Sequence, residues 1–183
     1  MTSQPEPVAS SPSAPPDGSS SVSSAPDADT LSHVRGDGSS HMVDVTDKAV
    51  TKRRAVAEGW LRTRADVVAQ IVDGSLPKGE AISVARVAGI LGAKQTSALV
   101  PLCHPLPITG VEIDIEPHGD RMRIVAAVKT TGVTGVEMEA LTAVSIAALT
   151  LYDMIKAVDR AAVLTDIRVL EKEGGKSGAW VRA

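Results

Sequence analysis

Asp153 and Lys156 stand three residues apart in the run LYDMIKAV, among Leu, Met, Ile and Ala. At that spacing on a helix the two side chains are neighbours. A carboxylate and an ammonium on an apolar helix cost free energy unless they are paired or used. Taken alone, the two read first as an intrahelical ion pair, with an acid/base pair of shifted pKa as the alternative. Glu139 lies about 40° from Asp153 on a helical wheel, but 14 residues earlier, about 21 Å along the axis. One small ligand does not easily touch both from a single helix. The spacing predicts either a long site or, preferred here, a site joining two copies of the chain.

Cys103 and His104 sit in VPLCHPL between Pro101 and Pro105. The prolines stiffen the segment into an extended form suited to ligand contact. A neutral imidazole there can donate to and accept from a base edge or a phosphate ester. Neighbouring residues of an extended chain point to opposite faces, so Cys103 and His104 do not form a nucleophilic dyad unaided. The histidines follow no zinc spacing and Cys103 is the only cysteine, so no metal site is expected. Other candidates are quieter. Lys78 in PKGE reads as a solvated loop lysine, and His118 as an exposed turn residue. His41 and Asp44 in HMVDV could reach a site, but as isolated loop residues they read first as makers of local hydrogen bonds. Arg86 and Lys94 share one helix face and could hold a phosphate or be its wet side. Lys176 lies in GGKSG, which lacks the spacing and the strand-to-helix setting of a phosphate loop.

The elements that must position these residues follow from periodicity. Residues 135–160 predict one long helix, opened by a Thr134–Glu137 capping box. Glu137 is thus either a cap or a site residue. Leu141, Val144, Ala148, Leu151, Ile155 and Val158 form an apolar stripe that should pack on a sheet. Before it, 55–63 predicts a strand with Trp60 as a packing anchor. A short helix over 66–73 is stopped by Gly74. A second helix spans roughly 80–99, with Ile82, Ala85, Val87, Ile90 and Leu91 mostly inward. Residues 111–116 alternate as a half-exposed strand. PHGD turns the chain into a partner strand over 121–130, and a last strand covers 162–170. The order β-α-α-β-β-α-β predicts an α+β ferredoxin-like sandwich: an antiparallel four-stranded sheet with helices on one face.

The chain has 183 residues, no Phe and a net charge of −3. That suffices for one domain, expected over 31–183, with a core of Val, Ile, Leu, Ala and Met. Residues 1–30 are Ser, Pro, Ala and Asp and read as a disordered extension. The charge offers no basic field for nucleic acid. One cysteine permits no intrachain disulfide and suggests a reducing compartment. No secretory signal or membrane span is expected.

HMVDV, KGE, LCHPL, GVEMEALTA, LYDMIKAV and GGKSG, in this order, resemble the MoaC family of cyclic pyranopterin monophosphate synthases. The resemblance runs from about 31 to 182, with Lys78-Gly79-Glu80 where the family has Lys-Gly-Asp. It implies a cytoplasmic phosphorus–oxygen lyase of molybdenum cofactor biosynthesis. Such an enzyme converts 3′,8-cyclised dihydro-GTP into cyclic pyranopterin monophosphate and pyrophosphate. It implies no redox cofactor, though Mg²⁺ could accompany the triphosphate. It also implies a homohexamer, a trimer of dimers with interfacial sites. On this resemblance Asp153, Lys78 and Lys156 are catalytic. Leu102, Cys103, His104, Met138, Glu139 and Lys176 contact substrate on the same resemblance, and Glu137 beside them is a further candidate when it does not cap. The competing expectation is a non-catalytic scaffold that binds a pterin or nucleotide. A bare oligomerisation module would account for the helix stripe but not for the His104 segment.

Overall fold

The structure, a computed structural model, describes residues 37–176 and 178–183. The extension expected over 1–30 lies outside the described residues. The elements run β1 (Thr51–Arg62), α1 (Ala65–Asp73), α2 (Ala81–Lys94), α3 (Thr96–Leu99), β2 (Ile108–His118), β3 (Arg121–Gly132), α4 (Glu137–Ile155), β4 (Val163–Glu173) and β5 (Trp180–Val181). In space the sheet is ordered β2-β3-β1-β4-β5, and every neighbouring pair is antiparallel. β1 and β2 therefore point the same way with β3 between them, the split βαβ arrangement of a ferredoxin-like fold. Where four strands are expected there are five: β5 is a two-residue strand that pairs Trp180 with Lys172 and Val181 with Glu171.

Strand parity sorts the two faces. Ala55, Ala57 and Leu61 are fully buried, so alternate residues of β1 face the helices. Trp60 falls on the opposite parity and is not the core anchor expected of it. Its ring lies 5.2 Å from the Arg121 guanidinium and meets His118 edge-on. Glu58 shares that helix-free face, yet is only 3% exposed. Arg123 and Arg168 donate to its two oxygens at 2.9 and 2.6 Å. Burial alone would raise this carboxyl's pKa, but the two guanidinium groups outweigh it and hold the pKa down.

The helix layer packs through small residues. In α2 the buried positions are Ala81, Ala85, Gly89, Gly92 and Ala93. A Cβ on Gly89 would come 2.8 Å from the Ala143 carbonyl oxygen, and one on Gly92 2.8 Å from Ile146. The expected inward set is therefore corrected. Ala85 is buried and Ile82 and Ile90 are partly so, but Val87 and Leu91 are 58% and 55% exposed. The helix also breaks at Gln95 before the short α3, short of the expected end at 99.

α4 is the central helix, packed on β1, β3, β4 and α2. Val144, Ala148, Leu151 and Ile155 of the expected stripe are buried, and Leu141 and Val158 pack partly against them. By length and composition α4 could cross a bilayer, but half of it is buried within the fold. It ends at Ile155 rather than Arg160, and Val136 caps its start without a side-chain hydrogen bond. The Thr134–Glu137 capping box does not form: α4 starts two residues later than the box requires, and Glu137 pairs with Lys172 of β4 at 3.1 Å.

Candidate active site

The two ends of α4 carry two clusters. At the C-terminal end, Asp153 stands in the last turn and Lys156 follows as the C-cap. The Lys156 ammonium reaches Asp153 Oδ1 at 2.7 Å. Lys78, from the loop between α1 and α2, donates to Asp153 Oδ2 and to the Asp153 carbonyl oxygen, both at 2.7 Å. Two cations thus take the two oxygens of one carboxylate, and one of them also satisfies a free carbonyl at the helix end, where positive charge is favoured. Hydrogen bonds from Lys156, then from Lys78, pull the Asp153 pKa down from 3.8 to about 2. The same bond to Asp153 raises the Lys156 pKa. All three side chains remain between a third and just over half exposed, so a ligand can reach them.

At the N-terminal end the setting is drier. Glu139 is 3% exposed. Burial raises its pKa against a smaller opposing hydrogen bond from its own backbone, and the nearby charge of Glu137 adds a lesser upward push. Cys103 is half-buried and close enough to Glu139 to feel its charge; burial and that charge raise the thiol pKa. A raised pKa leaves little thiolate at neutral pH, so Cys103 is a poor nucleophile. His104 Nε2 lies 2.9 Å from the Val43 carbonyl oxygen. A carbonyl only accepts, so Nε2 is the donor in this bond. That bond ties the HMVDV segment to the LCHPL segment. Asp44 accepts from the Thr46 backbone and hydroxyl at 2.9 and 2.6 Å, the local bonding expected of it. Met138 and Leu102 are exposed on this side.

The sequence matches the MoaC family over residues 42–175. It is 65% identical over 150 residues to the cyclic pyranopterin monophosphate synthase of Corynebacterium efficiens, covering 82% of this chain and 97% of that one. It is 62% identical to cyclic pyranopterin monophosphate synthase 2 of Mycobacterium tuberculosis, covering 83% and 91% of the two chains. The chain belongs to the MoaC family.

Within this MoaC chain the expected site residues fall into two groups that one copy does not join. Lys78, Asp153 and Lys156 meet directly. Cys103, His104, Glu137, Met138 and Glu139 belong to the other end of α4. Lys176 is exposed in the turn beyond β4. Arg86 donates its Nε to the Ile113 carbonyl at 3.0 Å, which ties α2 to β2. His118 is exposed as expected, but it stands at the end of β2 rather than in the turn.

Two basic residues of this end escape a reading by motif. Arg53 donates to the Gly132 and Val133 carbonyls at 2.9 and 3.0 Å, which fixes the loop that opens α4. The stem Gly174–Gly175 crosses directly over Arg53, at φ of +91° and +75°. A side chain on Gly175 would strike the guanidinium. Lys172 pairs with Glu137 and lies opposite Ala55 in the sheet. Parity is the signal that could have found both. Continuing the inward positions Leu61, Ala57 and Ala55 back along β1 puts an arginine on the core-facing side, where a cation needs a reason to be.

Proposed function

We propose that this MoaC chain is a cyclic pyranopterin monophosphate synthase acting in molybdenum cofactor biosynthesis. Its substrate is 3′,8-cyclised dihydro-GTP and its products are cyclic pyranopterin monophosphate and pyrophosphate. The observation that carries this reading is the Lys78–Asp153–Lys156 cluster, two exposed cations organised on one carboxylate. The reaction opens the purine's five-membered ring, closes a pyran ring and joins a ribose hydroxyl to the α-phosphorus. In the last step a new P–O bond forms as the bond to the β-phosphate oxygen breaks. The hydroxyl proton leaves to a base, and pyrophosphate departs with its charge stabilised.

Each step needs a positioned acid or base. Asp153 favours the charged form of Lys156, so Lys156 enters as an ammonium that can donate a proton or neutralise the leaving group. Lys78 faces the other oxygen of Asp153 and shares that work. Leu102, Cys103, His104, Met138 and Glu139 line the opposite end of the substrate, with Glu137 and Lys176 beside them. About 21 Å of helix separates Glu139 from Asp153, so a complete site takes one end of α4 from each of two copies. The assembly that repeats this pairing is a homohexamer of three dimers. We place the reaction in the cytoplasm, without a resident metal; any Mg²⁺ arrives with the triphosphate.

The test is a single-turnover assay with the cyclised dihydro-GTP, its products oxidised to fluorescent pterins. The intact chain forms the cyclic monophosphate pterin, while folded Lys78→Ala and Asp153→Asn variants do not. Binding of the substrate without pyrophosphate release would replace this reading with that of a pterin-binding scaffold.

A further inference from the structure

Lys156 occupies an unstable place in the chain. It follows the last helical residue of α4, and its backbone N–H donates to the Tyr152 carbonyl at 2.9 Å. Helix ends fray unless their free groups are held. Its side chain is half exposed, and its pairing with the equally exposed Asp153 is a weak constraint in water. Something else must hold the backbone that carries this ammonium.

The next residues show what does. Val158 and Asp159 N–H both return to the Ile155 carbonyl, at 2.8 and 2.9 Å. The Asp159 carboxylate, 8% exposed, accepts from Ala161 N–H at 2.9 Å through Oδ1. Through Oδ2 it accepts from the Thr63 hydroxyl at 2.6 Å. Thr63, also 8% exposed, directly follows β1 and is itself fixed by its N–H on the Asp120 carbonyl at 2.9 Å. Arg64 donates to the Val158 carbonyl at 3.0 Å while its other nitrogens hold Asp66. The turn after Lys156 is thus bolted to the sheet by a buried bond, three residues from the ammonium.

We propose that Asp159, held by Thr63, is a positioning residue for Lys156 in the cluster at the end of α4. This rests on the proposed role of Lys156 in the reaction. Neither Thr63 nor Asp159 touches substrate; they set where the ammonium stands relative to Asp153 and Lys78. Small misplacements of a reacting group are expensive in rate.

The experiment compares single-turnover rates, with enzyme in excess, of the intact chain, Thr63→Val, Thr63→Ser, Lys156→Ala and the Thr63→Val/Lys156→Ala double variant. Thr63→Val removes the hydroxyl at nearly constant volume. It is expected to lower the maximal rate about tenfold with substrate affinity unchanged, and Thr63→Ser to restore it. In the Lys156→Ala background Thr63→Val causes no further loss, because the group it positions is gone. An equal loss in both backgrounds overturns the proposal and makes the bond merely structural. So does an unimpaired Thr63→Val. If Thr63→Val does not fold, Asp159→Asn in the same two backgrounds replaces it. A Lys156→Ala variant as fast as the intact chain overturns instead the role given to Lys156.

Discussion

α4 holds two carboxylates in opposite conditions. Asp153 has a side chain 54% exposed, grips two lysines and is held near pKa 2. Glu139, 14 residues earlier, is 3% exposed and its pKa is pushed up by burial and by Glu137. Asp153 is an anion at neutral pH that pairs with two cations. Glu139 is the carboxyl easier to protonate, and it can donate a hydrogen bond when it is. Acid and anion roles are thus divided by environment along a single helix, the arrangement that separates proton donor from charge stabiliser in active sites. The wet end depends on pairing and the dry end on exclusion of water.

The largest effect follows from removing the pairing. Asp153→Asn leaves both ammonium groups without their organising charge, and the single-turnover rate is expected to fall by about 10²–10⁴. The melting temperature stays near that of the intact chain, because exposed pairs add little stability. A rate within tenfold of the intact chain would remove Asp153 from the reaction. Next in size is complementation. Mixed and reassembled Asp153→Asn and Glu139→Ala chains recover activity that neither has alone if each site takes opposite ends from two copies. No recovery in verified mixed oligomers would place both ends in separate sites.

These residues were unequally legible. Asp153–Lys156 is visible in sequence because helical periodicity alone makes them neighbours. Lys78 comes from 75 residues away, and no local spacing announces it; only the family resemblance did. The fold order was readable from alternation and helix stops such as Gly74, the left-handed residue after α1. The α2 face was misread because large apolar residues were assumed to point inward. The α2–α4 seam uses Gly and Ala, and leaves Val87 and Leu91 outside. Trp60 was misassigned for the complementary reason: size suggested burial, but strand parity decided its face.

Smaller effects sharpen the contrast through pH. Glu139→Gln removes a buried charge, so the variant melts above the intact chain at pH 8. Because the folded pKa of Glu139 is raised, ionising it opposes folding as pH climbs above the ordinary carboxylate range, and the gap should close toward pH 4. Asp153 has the opposite sign. Its pairing contributes above its ordinary value of 3.8 and is lost as pH falls through about 2. Thermal melts of the two single variants across pH 2–8 should therefore depart from the intact chain in opposite directions at the alkaline end, Glu139→Gln above it and Asp153→Asn only slightly below it, and both gaps should close toward acid. A constant offset for Glu139→Gln would mean that its carboxyl is not unusual. The smallest expected change is at Cys103, whose thiol is held up by burial and by Glu139. Alkylation at pH 8 should be slow in the intact chain and modestly faster in Glu139→Gln.

The small-residue seam has its own bearing on how this protein can vary. Gly89 and Gly92 set the closest approach of α2 to α4, with no room for even a methyl group. Any enlargement there wedges the two helices apart, and α4 cannot yield without carrying both of its ends with it. Mutational tolerance should therefore be inverted along α2: bulky exchanges pass at Val87 or Leu91, while a single added carbon at Gly89 is excluded. In a random library, the positions that look most dispensable by side-chain size would be among the first to disappear under selection.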